Sequence, residues 1–312
     1  MIERVYAVVG GVLLSSLGLA AEISSAKLLA SYWVDGSEGL GLSGLSFCNG
    51  QLLTVSDKKS DTIYTLELEN KRAKAVPYLE ISGLRPPKKD KPTNLWYFFL
   101  DLTRRPSAMD FEGISCKNNA IYILSERFNR IAKVDKQGKA HWLETNWSLE
   151  AKTQGYLQGF NLSSEGIVKV EDDFWVALES EPRGLVKLAS NGSIQIFQLP
   201  PVDGLKFQGG SEDLTALDYF NGALFTLERN AHAVCKRALP NLQAEWCLDY
   251  RALELSPELG YEGTRTGGMG DGLAVREQGI FVLFDNSNIS RIQDPKDRRA
   301  LLLQLAFPEG TR

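Results

Sequence analysis

DFEGISCKNNAIYILSERFNR, residues 110–130, reads as a β-hairpin. An acidic entry at Glu112 opens a short apolar strand, Lys117-Asn118-Asn119 makes a polar turn, and a second strand rich in β-branched and aromatic residues ends on Glu126. The pattern recurs in SGLSFCNGQLLTVSDK from 43, SEGIVKVEDDFWVALES from 164, SEDLTALDYFNGALFTLER from 211 and GDGLAVREQGIFVLFDN from 270, making five copies. Anchored on Leu45, Ile114, Ile167, Leu214 and Leu273, the copies stand 69, 53, 47 and 59 residues apart. That spacing suits four-stranded propeller blades, with two further strands after each hairpin, as in RIAKVDKQGKAHWLE and GLVKLASNGSIQIFQL. A β-sandwich also has regular turns, but it does not repeat one acidic signature at one point of every unit. The fold expected is all-β, a β-propeller of five four-stranded blades, or six if the longest interval or the N-terminal AKLLASYWV hides another. AKLLASYWV and RALLLQLAF, from the two chain ends, are expected to close the last blade, because closure removes exposed sheet edges.

The chain of 312 residues is 43% hydrophobic and 24% charged, enough for a full core. Thirty-five basic against 39 acidic residues leave a net charge of −4, without the basic excess of a nucleic-acid binder. The N-terminus has Arg4, an apolar run from Val5 to Leu19 and small residues at Gly18, Ala20 and Ala21, the order of a secretory signal peptide. Residues 1–21 are therefore expected to be removed and 22–312 to form a single propeller domain, periplasmic or secreted, with no membrane span after cleavage. Of four cysteines, Cys235 and Cys247 flank an Ala-Leu-Pro-Asn turn and are expected to form a disulfide. Cys48 and Cys116 fall at nearly matching places in two repeats, where they could pair between neighbouring inner strands, and are read first as two buried free thiols. No CxxC or Cys/His cluster suggests zinc.

The repeat places its acids. Ser43 to Asp57, Glu112 to Glu126, Glu165 to Glu179 and Asp271 to Asp285 are each 14 apart, and Glu212 to Glu228 is 16, across a longer turn. In an antiparallel hairpin these positions lie side by side, so with the first strand innermost they meet around one mouth of the central channel. Nine carboxylates are expected there: Asp57, Glu112, Glu126, Glu165, Glu179, Glu212, Glu228, Asp271 and Asp285. Such a ring needs cations. Lys58, Lys59, Arg127, Arg183 and Arg229 are candidates, and part of the ring reads as structural salt bridges and strand-end caps. The remaining acid favours a hard divalent ion, Ca²⁺, on Glu112, Glu165, Glu212 and Asp271. Long connections at 80–109, 144–163 and 248–269 are expected on the same face. The first is basic at Lys88, Lys89, Lys91, Arg104 and Arg105, with Trp96, Tyr97, Phe98 and Phe99 as its packing anchor.

Other chemistry is missing. There is no GxSxG, no P-loop and no dinucleotide fingerprint. Of two histidines, His141 falls on an outer strand and reads as inert, whereas His232 follows Glu228-Arg229-Asn230 out of the mouth and is a candidate acid or base.

DFEGIS and SEGIV, followed by LSER and LESEPRG, behind a signal peptide, resemble the exported bacterial propellers called phytase-like, or esterase-like activity of phytase; SdiA-regulated propellers share a similar element. The resemblance spans about Gly44 to Asn286. It implies an exported propeller with hydrolytic activity on phosphate or other esters, carried over onto Glu112, Glu126, Arg127, Glu165, Glu179, Glu212, Glu228 and Arg229. Asp213 stands where the family glycine would sit, and Ser43 replaces the acid in the first repeat. A wider likeness to gluconolactonase and paraoxonase propellers implies a metal on Glu112 or Glu165 with Asn230 or Asn286. The function expected is a Ca-assisted hydrolase of a small ester or phosphoester, using Glu126, Arg127, Glu179, Arg183, Glu228, Arg229 and His232. The alternatives are a non-catalytic periplasmic binding or scaffold propeller, or a metal-dependent lactonase.

Overall fold

Alternation is nearly absent from the second strand of each hairpin: Gln51–Ser56, Asp173–Leu178 and Ala223–Glu228 bury almost every residue. A strand of that kind must be covered on both faces. The computed structural model, which describes residues 21–87, 108–159, 163–209, 211–263 and 267–311, shows how. In chain order, β1 (Glu22–Ser25) and β2 (Leu28–Asp35) precede the first unit, β3 (Leu42–Cys48), β4 (Gln51–Ser56), β5 (Thr62–Glu69) and β6 (Arg72–Glu80). The second unit is β7 (Phe111–Lys117), β8 (Ala120–Ser125), β9 (Arg130–Val134) and β10 (Ala140–Trp142). The third is β11 (Ser164–Val170), β12 (Asp173–Leu178), β13 (Gly184–Leu188) and β14 (Ile194–Gln198). The fourth is β15 (Ala216–Phe220), β16 (Ala223–Glu228), β17 (Ala233–Arg237) and β18 (Ala244–Asp249), and the fifth is β19 (Gly270–Arg276), β20 (Gly279–Phe284) and β21 (Ala300–Leu305), completed by β2.

Each unit is an antiparallel meander, and the described residues form two four-stranded sheets (the second and third units), a five-stranded sheet in which β1 borders the fourth unit, and an eight-stranded sheet in which β2 and β6 join the fifth unit to the first. Their first strands lie against one another in a closed cycle, β3 to β7 to β11 to β15 to β19 and back to β3. The chain ends meet as expected, with Ser31 opposite Leu303 and Trp33 opposite Leu301. The segment β1 adds a parallel strand to the outer edge of the fourth unit, Ile23 opposite Cys247. A short parallel contact of β2 with β6 ties the fifth unit to the first.

The core is divided among the interfaces between units. Val55, Phe111 and Ile123 pack between the first and second, Leu124, Ile167 and Val186 between the second and third, and Trp175, Leu185 and Leu217 between the third and fourth. Phe225, Val275 and Leu303 fill the next interface, and Leu45, Leu66 and Leu283 the last. Four hairpins turn on two residues with positive φ, Asn49-Gly50, Asn70-Lys71, Asn118-Asn119 and Asn221-Gly222, the left-handed geometry that tight hairpins require.

Inner strands approach so closely that side chains are excluded. A Cβ on Gly113 would stand 2.7 Å from the Glu165 carbonyl oxygen, and one on Gly166 would stand 2.8 Å from Ala216 Cα. This is why the glycine follows the acid in the repeat. Cys48 and Cys116 sit at such an approach, with Cα atoms 5.4 Å apart, and form a disulfide. That corrects the expectation of free thiols: neighbouring inner strands bring the two sulfurs within bonding range. The expected Cys235–Cys247 disulfide is present across β17 and β18. Two disulfides fit an oxidising, extracytoplasmic environment. Among the described residues no helix is long and apolar enough to cross a membrane. The signal segment up to Ala20, the basic run from Lys88 to Arg105 and its aromatic anchor lie outside the described residues.

Candidate functional site

The hairpin registers show what stands at the mouth. Gly113 pairs with Leu124 and Lys117 with Ala120; in the fourth unit Ala216 pairs with Leu227 and Phe220 with Ala223. The fourth hairpin therefore has the same length as the others, and its 14-residue pair is Thr215 and Arg229, correcting the 16-residue spacing of Glu212 and Glu228. Where four units carry Asp57, Glu126, Glu179 and Asp285, the fourth carries arginine. Thr215 and Ser43, the two units' replacements for the entry acid, each donate a hydroxyl to the next inner strand, Thr215 to Gly270 O and Ser43 to Glu112 O, both at 2.8 Å.

Arg229 gathers three units around its guanidinium. Nε donates to Asp213 at 2.7 Å, Nη2 to Glu179 at 2.7 Å, and Nη1 to Asp271 at 2.9 Å, with Glu165 at 3.5 Å. Burial pushes Asp271 up to about 7, against the pull of Arg229. It also raises Glu165 well above the usual carboxylate range, and Glu179 more modestly, with Arg229 again opposing and neighbouring carboxylates adding to the rise. Asp285 is raised by burial although Ser287 N–H donates to it at 2.8 Å.

The opposite side of the mouth belongs to the first two units. Asp57, Asp110 and Glu112 can each turn one ligand atom to a common point, with those atoms all within 4.8 Å of one another. Asp57 is pushed up to about 6 by burial, despite its close ion pair with Lys58. Glu112 is raised well above its ordinary value by burial and then by Glu126, Asp57, Asp110 and Asp271. Asp57 Oδ1 is buried and takes no hydrogen bond. An all-oxygen donor set with an unsatisfied buried carboxylate oxygen fits a hard divalent cation. Glu126 is buried and partnered, and Arg127 donates to the Ala108 carbonyl oxygen at 2.7 Å and lies over Phe128.

Several nominated residues sit elsewhere. Glu228 points off the other face of β16 into a buried network, accepting from Arg237 at 2.8 Å and Thr226 at 3.0 Å and paired closely with Arg183. Burial acts to raise this carboxylate, but the two guanidinium groups outweigh it and hold it below the usual range. Arg183 also binds Glu212 at 3.0 Å, whose side chain is 62% exposed and outside the ring. His232 is fully buried, with Nδ1 2.6 Å from Glu254 and Nε2 3.1 Å from Gln208, so its ring is occupied on both sides. Asn286 donates to the backbone of residues 289, 298 and 299, and Asn230 to Ser211. His141 lies on the outer strand β10, as expected. Asp110 and Asp213 were not singled out for the ring. Counting outward from the Asn221-Gly222 turn, instead of forward from the acidic signature, is the signal that brings in Asp213 and gives the already nominated Arg229 its place in the repeat.

A model of the family described as "Phytase-like: Esterase-like activity of phytase" matches residues 39–234. No curated protein matches. Among solved structures, the chain is similar to glutaminyl cyclase of Myxococcus xanthus, at 14% identity over 93% of this chain and all of that one, with a TM-score of 0.55. At that identity the likeness is one of fold. A gluconolactonase from Xanthomonas campestris is similar at 10% identity over 86% of this chain and 87% of that one, with a TM-score of 0.42.

Proposed function

The chain belongs to the phytase-like family, whose model covers residues 39–234, and from that premise we propose that it is an exported hydrolase of esters or phosphoesters acting at the propeller mouth. The observation that carries the reading is Arg229, which replaces an acid of the repeat and stands among Glu165, Glu179, Asp213 and Asp271. A partly exposed guanidinium held by carboxylates from three units is oriented before substrate arrives. It can stabilise the negative charge that develops on a carbonyl or phosphoryl oxygen. Asp57, Asp110 and Glu112 would hold a divalent cation, Ca²⁺, which when bound supplies Lewis-acid polarisation. The signal segment and the two disulfides support a periplasmic or secreted location.

The test is a screen of aryl esters, lactones, phosphomonoesters and phytate with metal-stripped and Ca²⁺-loaded protein. Turnover lost on chelation and restored by Ca²⁺ is expected; no turnover of any of them with any divalent ion removes the reading. The burial of His232, Arg183 and Glu228 in structural networks favours, as the second reading, a non-catalytic binding propeller. Glu112→Gln separates the two, abolishing turnover in an enzyme and changing only stability or partner binding in a scaffold.

A further inference from the structure

Opposite the mouth, where the β15–β16 and β19–β20 hairpins turn, the fourth and fifth units leave a cavity of about 310 Å³ between them. Its walls are aromatic. Phe220, Phe225 and Trp246 come from the fourth unit, and Phe307 follows β21 as the chain leaves the fifth. Phe225 and Trp246 meet edge to face at 5.8 Å, and Phe307 lies nearly parallel to Phe220 at 6.2 Å. Other units fill the equivalent place. Tyr122 pairs with Lys133 in the second unit, Trp175 with Lys187 in the third, and Phe225 with Lys236 in the fourth. Lys133 Nζ stands 6.0 Å from the Tyr122 ring centre, and Lys187 Nζ stands 5.8 Å from that of Trp175. Lys236 instead turns to Glu245 at 2.8 Å, and among the described residues no cation stands over the four rings of the cavity. The Lys236–Glu245 pair is neutral as a unit. Glu277, exposed at the rim and without an ion-pair partner among the described residues, therefore leaves a negative surplus. Trp246 Nε1 is buried and has no acceptor, an uncommon state for a buried donor.

We propose that this cavity binds a small alkylammonium ion carrying an oxygen acceptor, with the cation held against the rings of Phe220, Phe225, Trp246 and Phe307. A ring face attracts a cation through its quadrupole, most strongly for tryptophan, and the attraction grows as water is excluded. The ligand's charge takes the place that a lysine holds in the second and third units. Glu277 answers that charge, and the ligand's oxygen offers Trp246 Nε1 the acceptor that the protein does not supply. The alkyl groups matter, because a bare ammonium is strongly hydrated and an apolar wall cannot replace its water. The volume lies at the lower end of the range for small-molecule sites, about 300–1,000 Å³, so the ligand is one compact group. An anion is disfavoured, since the ring faces and Glu277 repel it and Lys236 is already paired. The site does not depend on the hydrolase reading, because it lies the length of a hairpin away from Arg229 and shares no residue with the mouth.

The experiment follows the indole N–H resonances of the mature protein by NMR, with that of Trp246 assigned from Trp246→Phe. The probes are choline, its uncharged carbon isostere neohexyl alcohol, and benzoate as the anion. Choline is expected to move the Trp246 resonance saturably and to bind about tenfold more tightly than the alcohol. Glu277→Gln, at an exposed position, should weaken choline about threefold and leave the alcohol unchanged. Phe307→Leu, which keeps an apolar side chain and removes the ring, should also weaken choline alone. If Trp246→Phe fails to fold, calorimetric titration of the unaltered protein and of Glu277→Gln carries the same comparison. Equal binding of choline and the alcohol, a preference for benzoate, or no saturable binding of choline would overturn the proposal. So would choline binding that leaves the Trp246 resonance unmoved and is indifferent to Glu277→Gln, since that binding belongs to the acidic mouth.

Discussion

Arg229 decides the electrostatics of the mouth, because four carboxylates lean on one partly exposed guanidinium. Arg229→Gln leaves them uncompensated and should cost about 3–5 kcal/mol of stability at pH 7.5 in denaturant unfolding. The loss should shrink towards pH 5, where the raised carboxyls keep their protons in any case. Arg229→Lys should recover only part, since an ammonium cannot address Asp213, Glu179 and Asp271 in one planar fork. At this scale the sequence was only half legible. That acids would gather at strand ends followed from the 14-residue spacing. That Glu228 would turn inward to Arg237, and that Arg229 would take its place, depended on a hairpin register that the spacing alone could not reveal.

The inner strands are held by close approach and by one covalent link. Gly113→Ala places a methyl group against the backbone of Glu165 and Ile167, which cannot move without parting β7 from β11. A cost of about 1–3 kcal/mol is expected, read as a shift of the denaturation midpoint at constant slope. The two disulfides should differ in weight. Cys48–Cys116 spans 68 residues and Cys235–Cys247 spans 12. On the chain-entropy model these correspond to about 4.4 and about 2.8 kcal/mol, so replacing the first pair by serine should lower stability by about 1.5 kcal/mol more than replacing the second. Elements were the most legible level. Turns such as Asn118-Asn119 and apolar runs such as AIYIL announce hairpins by themselves. That Cys48 and Cys116 could pair was legible from their matching places in two repeats; that they do was not, because sequence shows that two strands are neighbours and does not show how near they come.

For the molecule as a whole, the raised carboxyls set a pH dependence. Asp57 at about 6 and Asp271 at about 7, with Glu112 and Glu165 also raised well above their ordinary value, bind protons more tightly folded than unfolded, where aspartate and glutamate ionise at about 4. Their contribution to stability is complete below about pH 4 and is lost as pH rises through 6 and 7. Tm of metal-stripped protein should therefore fall between pH 5 and 7.5, and Ca²⁺ should raise it at pH 7.5, where the ionised Asp57, Asp110 and Glu112 can be occupied. A flat profile without any effect of Ca²⁺ would argue against both. The closure of the fifth unit has a consequence for the order of assembly. Because Leu28–Asp35 is bordered mainly by Ala300–Leu305, it must wait for a segment synthesised after all four other units. Until then the ring lacks its latch. On the export proposed above, that delay is useful, since a chain that cannot finish folding early is still threadable when it reaches a membrane.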